Sequence, residues 1–259
     1  MTGRDMSEEM AAEFDTLADW TGDAAVALGP DYYVPAGCRG SGRPAALDWL
    51  LDRMAARPGD RLVDIGAGVG GPAGYAAQRA SVRPVLLEPA AGACRAARRL
   101  FGLPVARADA LALPLPDAFT PLAWSLGVLC TTGDHLGLLG ELRRVLRPDG
   151  RGGLLVFVSE QPLSEQPSGN DFPTQASLAA ALAAAGLTVV EQTAADATAA
   201  EPADWQDRVS AVDDELARRH RDDTAWQIAE QQSETMGRLL STGEVAGHLL
   251  VVRPSADLP

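Results

Sequence analysis

The stretch Arg61-Leu-Val-Asp-Ile-Gly-Ala-Gly-Val-Gly-Gly-Pro72 constrains this chain more than any other. An apolar strand carrying one carboxylate, Asp64, turns through four glycines into a helix that opens with proline. Glycines tolerate positive φ and let a ligand lie against bare main chain. The helix start beyond them offers unpaired N–H groups and a partial positive charge. Gly66, Gly68 and Gly71 fit G-x-G-x-x-G, a pattern shared by several nucleotide-binding families. The neighbours narrow the choice. Asp64, at the end of the strand, would repel a pyrophosphate and attract an ammonium group. Pro72 is tolerated in the first helical turn, but it removes one of the N–H donors that a diphosphate needs. A ligand with a cationic end suits both.

S-adenosylmethionine carries an ammonium, a sulfonium and a single carboxylate. With an acidic residue followed by Gly-x-Gly-x-Gly, the chain resembles the class I S-adenosylmethionine-dependent methyltransferases. Its Gly-Gly-Pro ending is most similar to their small-molecule branch, which includes sterol, tocopherol and natural-product enzymes. Val85-Leu-Leu-Glu-Pro89 reads as a second buried strand, and an acid at its end, Glu88, suits ribose hydroxyls in nucleotide folds generally. Val105-Ala-Arg-Ala-Asp-Ala110 reads as a third strand, where the resemblance places Asp109 and Ala110 at the adenine amino group. Leu122–Leu129 fits the fourth strand. Glu141-Leu-Arg-Arg-Val-Leu-Arg-Pro-Asp-Gly150 matches the helix and turn before a fifth strand, Gly153–Val158. The resemblance implies that Asp64, Gly66, Ala67, Gly68 and Gly71 hold the cofactor. It adds Glu88, Pro89, Asp109, Ala110 and Leu126 on the nucleoside side.

The chain has 259 residues, enough for one α/β domain with appended elements. No apolar run approaches the ~20 residues of a membrane span, and the amino terminus lacks an apolar signal region, so a cytoplasmic protein is expected. Cys38, Cys94 and Cys130 form no C-x-x-C pair and read as reduced thiols. A net charge of −13 argues against nucleic acid as partner. Arg95–Arg98–Arg99 and Arg218–Arg219–Arg221 read as solvated helix faces. Every cation is arginine, a bias that fits a high-GC bacterial genome.

Residues 1–44 read as a cap segment, with Phe14, Leu17 and Trp20 spaced as on an amphipathic helix and a Gly/Pro-punctuated loop after it. Residues 45–259 read as the methyltransferase domain. A helix over 45–56 leads into the first strand, an alanine-rich helix spans 174–185, and strands are expected at 187–192 and 247–254. Between those strands, 199–242 is charged and helical in pattern. Helix–strand alternation implies an α/β fold with a mostly parallel sheet covered on both faces. The resemblance implies a Rossmann-like seven-stranded sheet, order 3-2-1-4-5-7-6, with the last strand antiparallel and 199–242 as a helical lid.

The acceptor side is less marked. Relatives in the family carry a histidine near the end of the fourth strand, where this chain reads Leu126-Gly-Val-Leu-Cys130. His135, a few residues on, is the candidate base or substrate donor, or else a capping or surface histidine. His220, in an arginine-rich stretch, reads as exposed and His248 as structural. Tyr32, Tyr33, Trp124 and Cys130 are candidate acceptor-pocket residues; the tyrosines alternatively anchor their loop to the core. Trp205 and Trp226 read as pocket or lid core. Cys38 and Cys130 could meet at the cofactor mouth, as in arsenite methyltransferases, but no further cysteines complete an arsenic site, and no metal is expected.

The sequence thus points to S-adenosylmethionine-dependent methylation of a small-molecule acceptor in bacterial secondary metabolism, by a monomer or homodimer. One alternative is a protein that binds this cofactor without methylating. Another is a nicotinamide oxidoreductase, which would use the same glycines and Glu88 but has no need of Asp64.

Overall fold

The computed structural model describes residues 3–256 apart from 41, 162 and 166, and side chains from residue 13 onward. The outermost residues of the expected 1–44 and 45–259 units lie outside the described residues. The described residues form a seven-stranded sheet in the order β3-β2-β1-β4-β5-β7-β6. β1 (Arg61–Ile65) is central and runs parallel to β2 (Arg83–Glu88) and β4 (Thr120–Leu126). β3 (Val105–Arg107) is the edge beyond β2, and β5 (Leu146–Ser159) continues the parallel set past β4. β7 (Val245–Pro254) pairs antiparallel with both β5 and β6 (Leu187–Ala194).

The strands are apolar on both faces because helices cover both. Val63 and Ile65 point into a cluster with α6 (His135–Val145) and α7 (Gln175–Ala184). Leu62 and Trp124 point the other way, against α3 (Pro44–Arg53). The period of two along a strand puts Asp64 on the same face as Leu62. α4 (Gly71–Ala80) and α5 (Ala91–Phe101) complete that face beside β2.

α1 spans Gly3–Leu28, well beyond the periodic stretch that announced it, and ends at Gly29, whose φ of +107° no helix interior accepts. A short helix, α2 (Tyr33–Gly37), follows. The 199–242 stretch folds as α8 (Trp205–His220) and α9 (Thr224–Ser241). These pack on the amino-terminal helices: Ala18, Ala24, Ala25, Ala36, Val212, Leu216 and Trp226 are buried in one cluster with α5. Arg39 bridges to Asp213 at 2.8 Å, and His220 stacks flat on Trp20 with ring centroids 3.8 Å apart. His220 is therefore half-buried, not exposed as the sequence suggests.

Several strand ends differ from expectation, β5 beginning at Leu146 and taking in the expected turn before Gly153, and two of the differences have a local reason. β3 stops at Arg107 because Asp109 turns the chain, its Oδ1 accepting the Leu111 N–H at 2.9 Å. β4 stops at Leu126 because Gly127 has φ +75°.

Candidate cofactor and acceptor site

Asp64 lies at the carboxyl end of β1 and is 2% exposed. One carboxylate oxygen, Oδ2, has no hydrogen-bond partner. Burial pushes this carboxyl up to about 7; the nearby Trp124 indole offsets part of the shift and the Glu88 charge adds to it. A buried unpaired carboxylate oxygen is costly unless a donor completes it. An ammonium group is such a donor.

After Asp64 the backbone turns at Gly66 (φ +73°), and the N–H groups of Gly66 and Ala67 both donate to the Leu87 carbonyl, at 2.8 and 3.1 Å. A Cβ at Gly66 would stand 2.5 Å from Val128 Cγ2, so any larger residue would push the β4–α6 loop away. The loop ends at Gly71 and Pro72, where α4 begins.

Glu88, 4% exposed, braces the loop from below. Its Oε2 accepts the Gly68 N–H at 2.8 Å and its Oε1 accepts the Ala90 N–H at 2.9 Å. Burial raises its carboxyl, these two N–H groups hold it down, and Asp15 raises it further. Each oxygen keeps a lone pair able to accept a hydroxyl. Arg107 Nε donates to the Pro89 carbonyl at 2.7 Å, drawing the end of β3 beside Pro89. Asp109 is exposed, Ala110 half-buried, and Leu126 buried at the end of β4. Asp64, Ala67, Gly68, Glu88 and Pro89 thus belong to one strand-end cluster, with Asp109 and Ala110 at its β3 side.

The amino-terminal segment closes over this cluster. α2 meets the glycine loop backbone to backbone: a Cβ on Gly37 would stand 2.5 Å from the Gly71 nitrogen. Cys38 follows, 4% exposed, its thiol pushed up by burial and by the Asp64 and Glu201 carboxylates. Tyr32 and Tyr33 pack into the α1–α5–α8 cluster, Tyr33 edge-on to Phe101 at 6.3 Å. They anchor the segment.

His135 is the first residue of α6, capped by Asp134, whose side chain accepts the Gly137 N–H at 2.8 Å. His135 Nε2 lies 3.1 Å from the Asp171 carbonyl. A carbonyl can only accept, so Nε2 donates in this contact and Nδ1 is the ring nitrogen left to accept when it carries no proton. Cys130, 4% exposed and pushed up to about 11 by burial, sits in an apolar cluster with Phe172, Leu239 and Val245. Phe157, Leu163 and Met236 pack against it. Cys38 lies in a different cluster, beside Trp124, so the two cysteines are not brought together. Trp124 is fully buried in the sheet core. Trp226 is buried in the cluster shared by α1, α5 and α8, and Trp205 packs on the core near α3. Among the described residues no group of His, Cys, Asp or Glu is placed to hold a metal ion, and no helix is long and apolar enough to cross a membrane.

Sequence reasoning missed Gly37, Val128 and Asp171. Their roles arise from contacts with distant segments, and no local spacing signals them. Arg95 and Arg99 are exposed, as read, but their pairing with acids on α1 was not foreseen. There a signal existed: Asp15, Asp19 and Asp23 recur every four residues, like Arg95 and Arg99.

Residues 63–153, from β1 into β5, match the family profile described as a methyltransferase domain. That segment, which holds Asp64, the glycine turn and Glu88, is similar to methyltransferase domains. The chain is 34% identical over 114 residues to 24-methylenesterol C-methyltransferase 2 of Oryza sativa subsp. japonica, covering 41% of this chain and 31% of that one. It is 36% identical over 120 residues to 27-O-demethylrifamycin SV methyltransferase of Amycolatopsis mediterranei (strain S699), covering 42% and 44%. The chain thus spans less than half the length of these curated relatives. Over nearly its whole length it shares the fold of the [4+2]-cyclase SpnF, with a TM-score of 0.72, 20% identity, and 96% and 97% of the two chains covered.

Proposed function

We propose that the protein transfers the methyl group of S-adenosylmethionine to a small-molecule acceptor, in bacterial secondary metabolism. The observation that carries this reading is the buried, unpartnered Oδ2 of Asp64 beneath a glycine turn. Asp64 would hold the cofactor's ammonium and Glu88 its ribose hydroxyls, while Pro89, Asp109, Ala110 and Leu126 would flank its adenine. When bound, the cofactor supplies an electrophilic methyl on a sulfonium, so the protein has mainly to align the acceptor and exclude water. Residues 1–44 and 199–242 serve as a joint cap that provides the exclusion. The cluster of Cys130, Phe157, Leu163, Phe172, Met236 and Leu239 supplies the apolar wall toward the acceptor, and His135 Nδ1 takes a proton where the acceptor must lose one. The rifamycin relative supports the secondary-metabolic setting.

The test is incubation with methyl-labelled S-adenosylmethionine and a bacterial metabolite extract, followed by mass analysis. The expected result is a labelled small molecule together with S-adenosylhomocysteine above the no-enzyme background; neither appearing would overturn methyl transfer. A second reading has a specific observation behind it. One structural match that spans nearly the whole chain is to a cyclase, and the segment Leu126–Cys130 lacks the histidine that the family resemblance leads one to expect there. In that case the cofactor binds, the product is an isomer of its substrate, and no label moves.

A further inference from the structure

α1 is fixed in one register on α5. Asp15 Oδ1 accepts the Gly92 N–H at 2.5 Å, in the first turn of α5 where such N–H groups lack helical partners. One turn on, Asp19 pairs with Arg95, and a further turn on Asp23 Oδ1 meets Arg99 Nη1 at 2.7 Å. The two ion pairs are exposed and weak by themselves, and the Asp15–Gly92 bond is partly buried. Three contacts in the same four-residue step, backed by Ala18 and Ala25 against Ala93 and Ala96, allow only one alignment.

That alignment brings the preceding residue, Phe14, to the glycine loop. Phe14 Cζ lies 4.0 Å from the point where a Cβ on Gly68 would stand. Unlike Leu17 and Trp20, Phe14 does not join the cluster beneath α1, and the residue is 49% exposed. An exposed aromatic alone means little. This one stands beside the loop residue whose N–H is bonded to Glu88, while its neighbour Asp15 adds to the negative field at Glu88.

We propose that α1 is the outer wall of the nucleoside end of the cofactor site, with Phe14 as the residue that packs on the bound nucleoside and Asp15 as the residue that positions it. The inference rests on the cofactor reading above. Neutral ribose hydroxyls and a purine face suit a ring edged by Glu88 and Asp15, whereas a phosphorylated ribose would meet two carboxylates.

The experiment is calorimetric titration of S-adenosylhomocysteine, with 5′-methylthioadenosine as a competitor that keeps the nucleoside and lacks the amino-acid end. Phe14→Ala is expected to weaken both ligands roughly tenfold, the scale of losing one aromatic stacking partner, while Phe14→Tyr stays within about threefold of wild type. Asp64→Asn is expected to weaken S-adenosylhomocysteine and leave methylthioadenosine unchanged. Because Phe14 is half exposed, the unligated melting temperature of Phe14→Ala should move by less than about 2 °C. Unchanged affinity of Phe14→Ala for both ligands overturns the proposal, and so does a loss confined to S-adenosylhomocysteine. If wild type binds neither ligand, the cofactor reading itself fails and the proposal falls with it.

Discussion

Asp64 and Trp124 stand opposite each other in register across β1 and β4, and neither Asp64 Oδ2 nor the Trp124 indole nitrogen has a hydrogen-bond partner. Two unsatisfied polar atoms on adjacent central strands are a local cost. Such costs collect at sites whose remaining partner is a ligand. Asp64 also gives the fold a pH dependence.

The Asp64 carboxyl is held at about 7 in the folded chain, against 3.8 for the free side chain. Between these values the folded state keeps a proton that the unfolded state has lost. This group's contribution to stability is therefore greatest below about pH 4, falls as pH rises toward 7, and levels off above about pH 8. Asp64→Asn removes that slope. The difference in melting temperature between variant and wild type, in the absence of ligand, should grow in favour of the variant from pH 5 to pH 8. Parallel curves would contradict the assignment.

An ammonium placed against Asp64 favours its charged form and draws its proton off. Binding of S-adenosylhomocysteine near pH 7 should release roughly half a proton. Titrations in phosphate and in Tris would then give different heats, and affinity should weaken as pH falls below 7. Equal heats in the two buffers would argue against an ammonium at Asp64.

Gly37 and Gly71 touch through their backbones, leaving no room for a side chain on either. Gly71→Ala should force α2 off the glycine loop at a cost of ~1–3 kcal/mol. In a chain of this size that lowers the melting temperature by about 2–10 °C. Thermal denaturation followed by circular dichroism checks it.

His135 is held by the Asp171 carbonyl with Nδ1 free to accept. For an acceptor that must be deprotonated, His135→Ala should slow turnover by about 10²–10⁴. Affinity for S-adenosylhomocysteine should stay as in wild type. Turnover unchanged in the variant would remove His135 from the chemistry.

Arg144 ties α6 to the loop after Asp109. It donates to the carbonyls of Leu115 and Leu113 at 2.6 and 3.0 Å and pairs with Glu141, whose Oε2 accepts the Leu113 N–H at 2.7 Å. Arg144→Met should destabilise the protein by ~2 kcal/mol, read as a fall in denaturation midpoint. It should also loosen the 111–118 loop, seen as faster amide exchange there.

What the sequence made legible was local. The strand carrying Asp64, the glycine turn and the strand ending at Glu88 follow from side-chain periodicity and glycine chemistry within a dozen residues of each other. The order of the outer strands came only through the family resemblance, since no residue of β6 or β7 announces an antiparallel neighbour. The end of β3 before Asp109 and the stacking of His220 on Trp20 depend on turns or partners that periodicity does not encode. The cap was hardest to read. Gly37 against Gly71, Val128 against Gly66 and Phe14 beside Gly68 are each meetings of segments far apart in the chain. Only the matching four-residue steps of Asp15, Asp19 and Asp23 with Arg95 and Arg99 left a trace in the sequence.

The most direct measurement is a calorimetric titration of S-adenosylhomocysteine into wild type and Asp64→Asn, with a reduced nicotinamide dinucleotide as comparison ligand. The account predicts saturable one-to-one binding in wild type and no dinucleotide binding. In Asp64→Asn it predicts a loss of ~1.5–3 kcal/mol, about 10- to 150-fold in Kd. Absence of saturable heat with S-adenosylhomocysteine, or an unchanged Kd in Asp64→Asn, would contradict it.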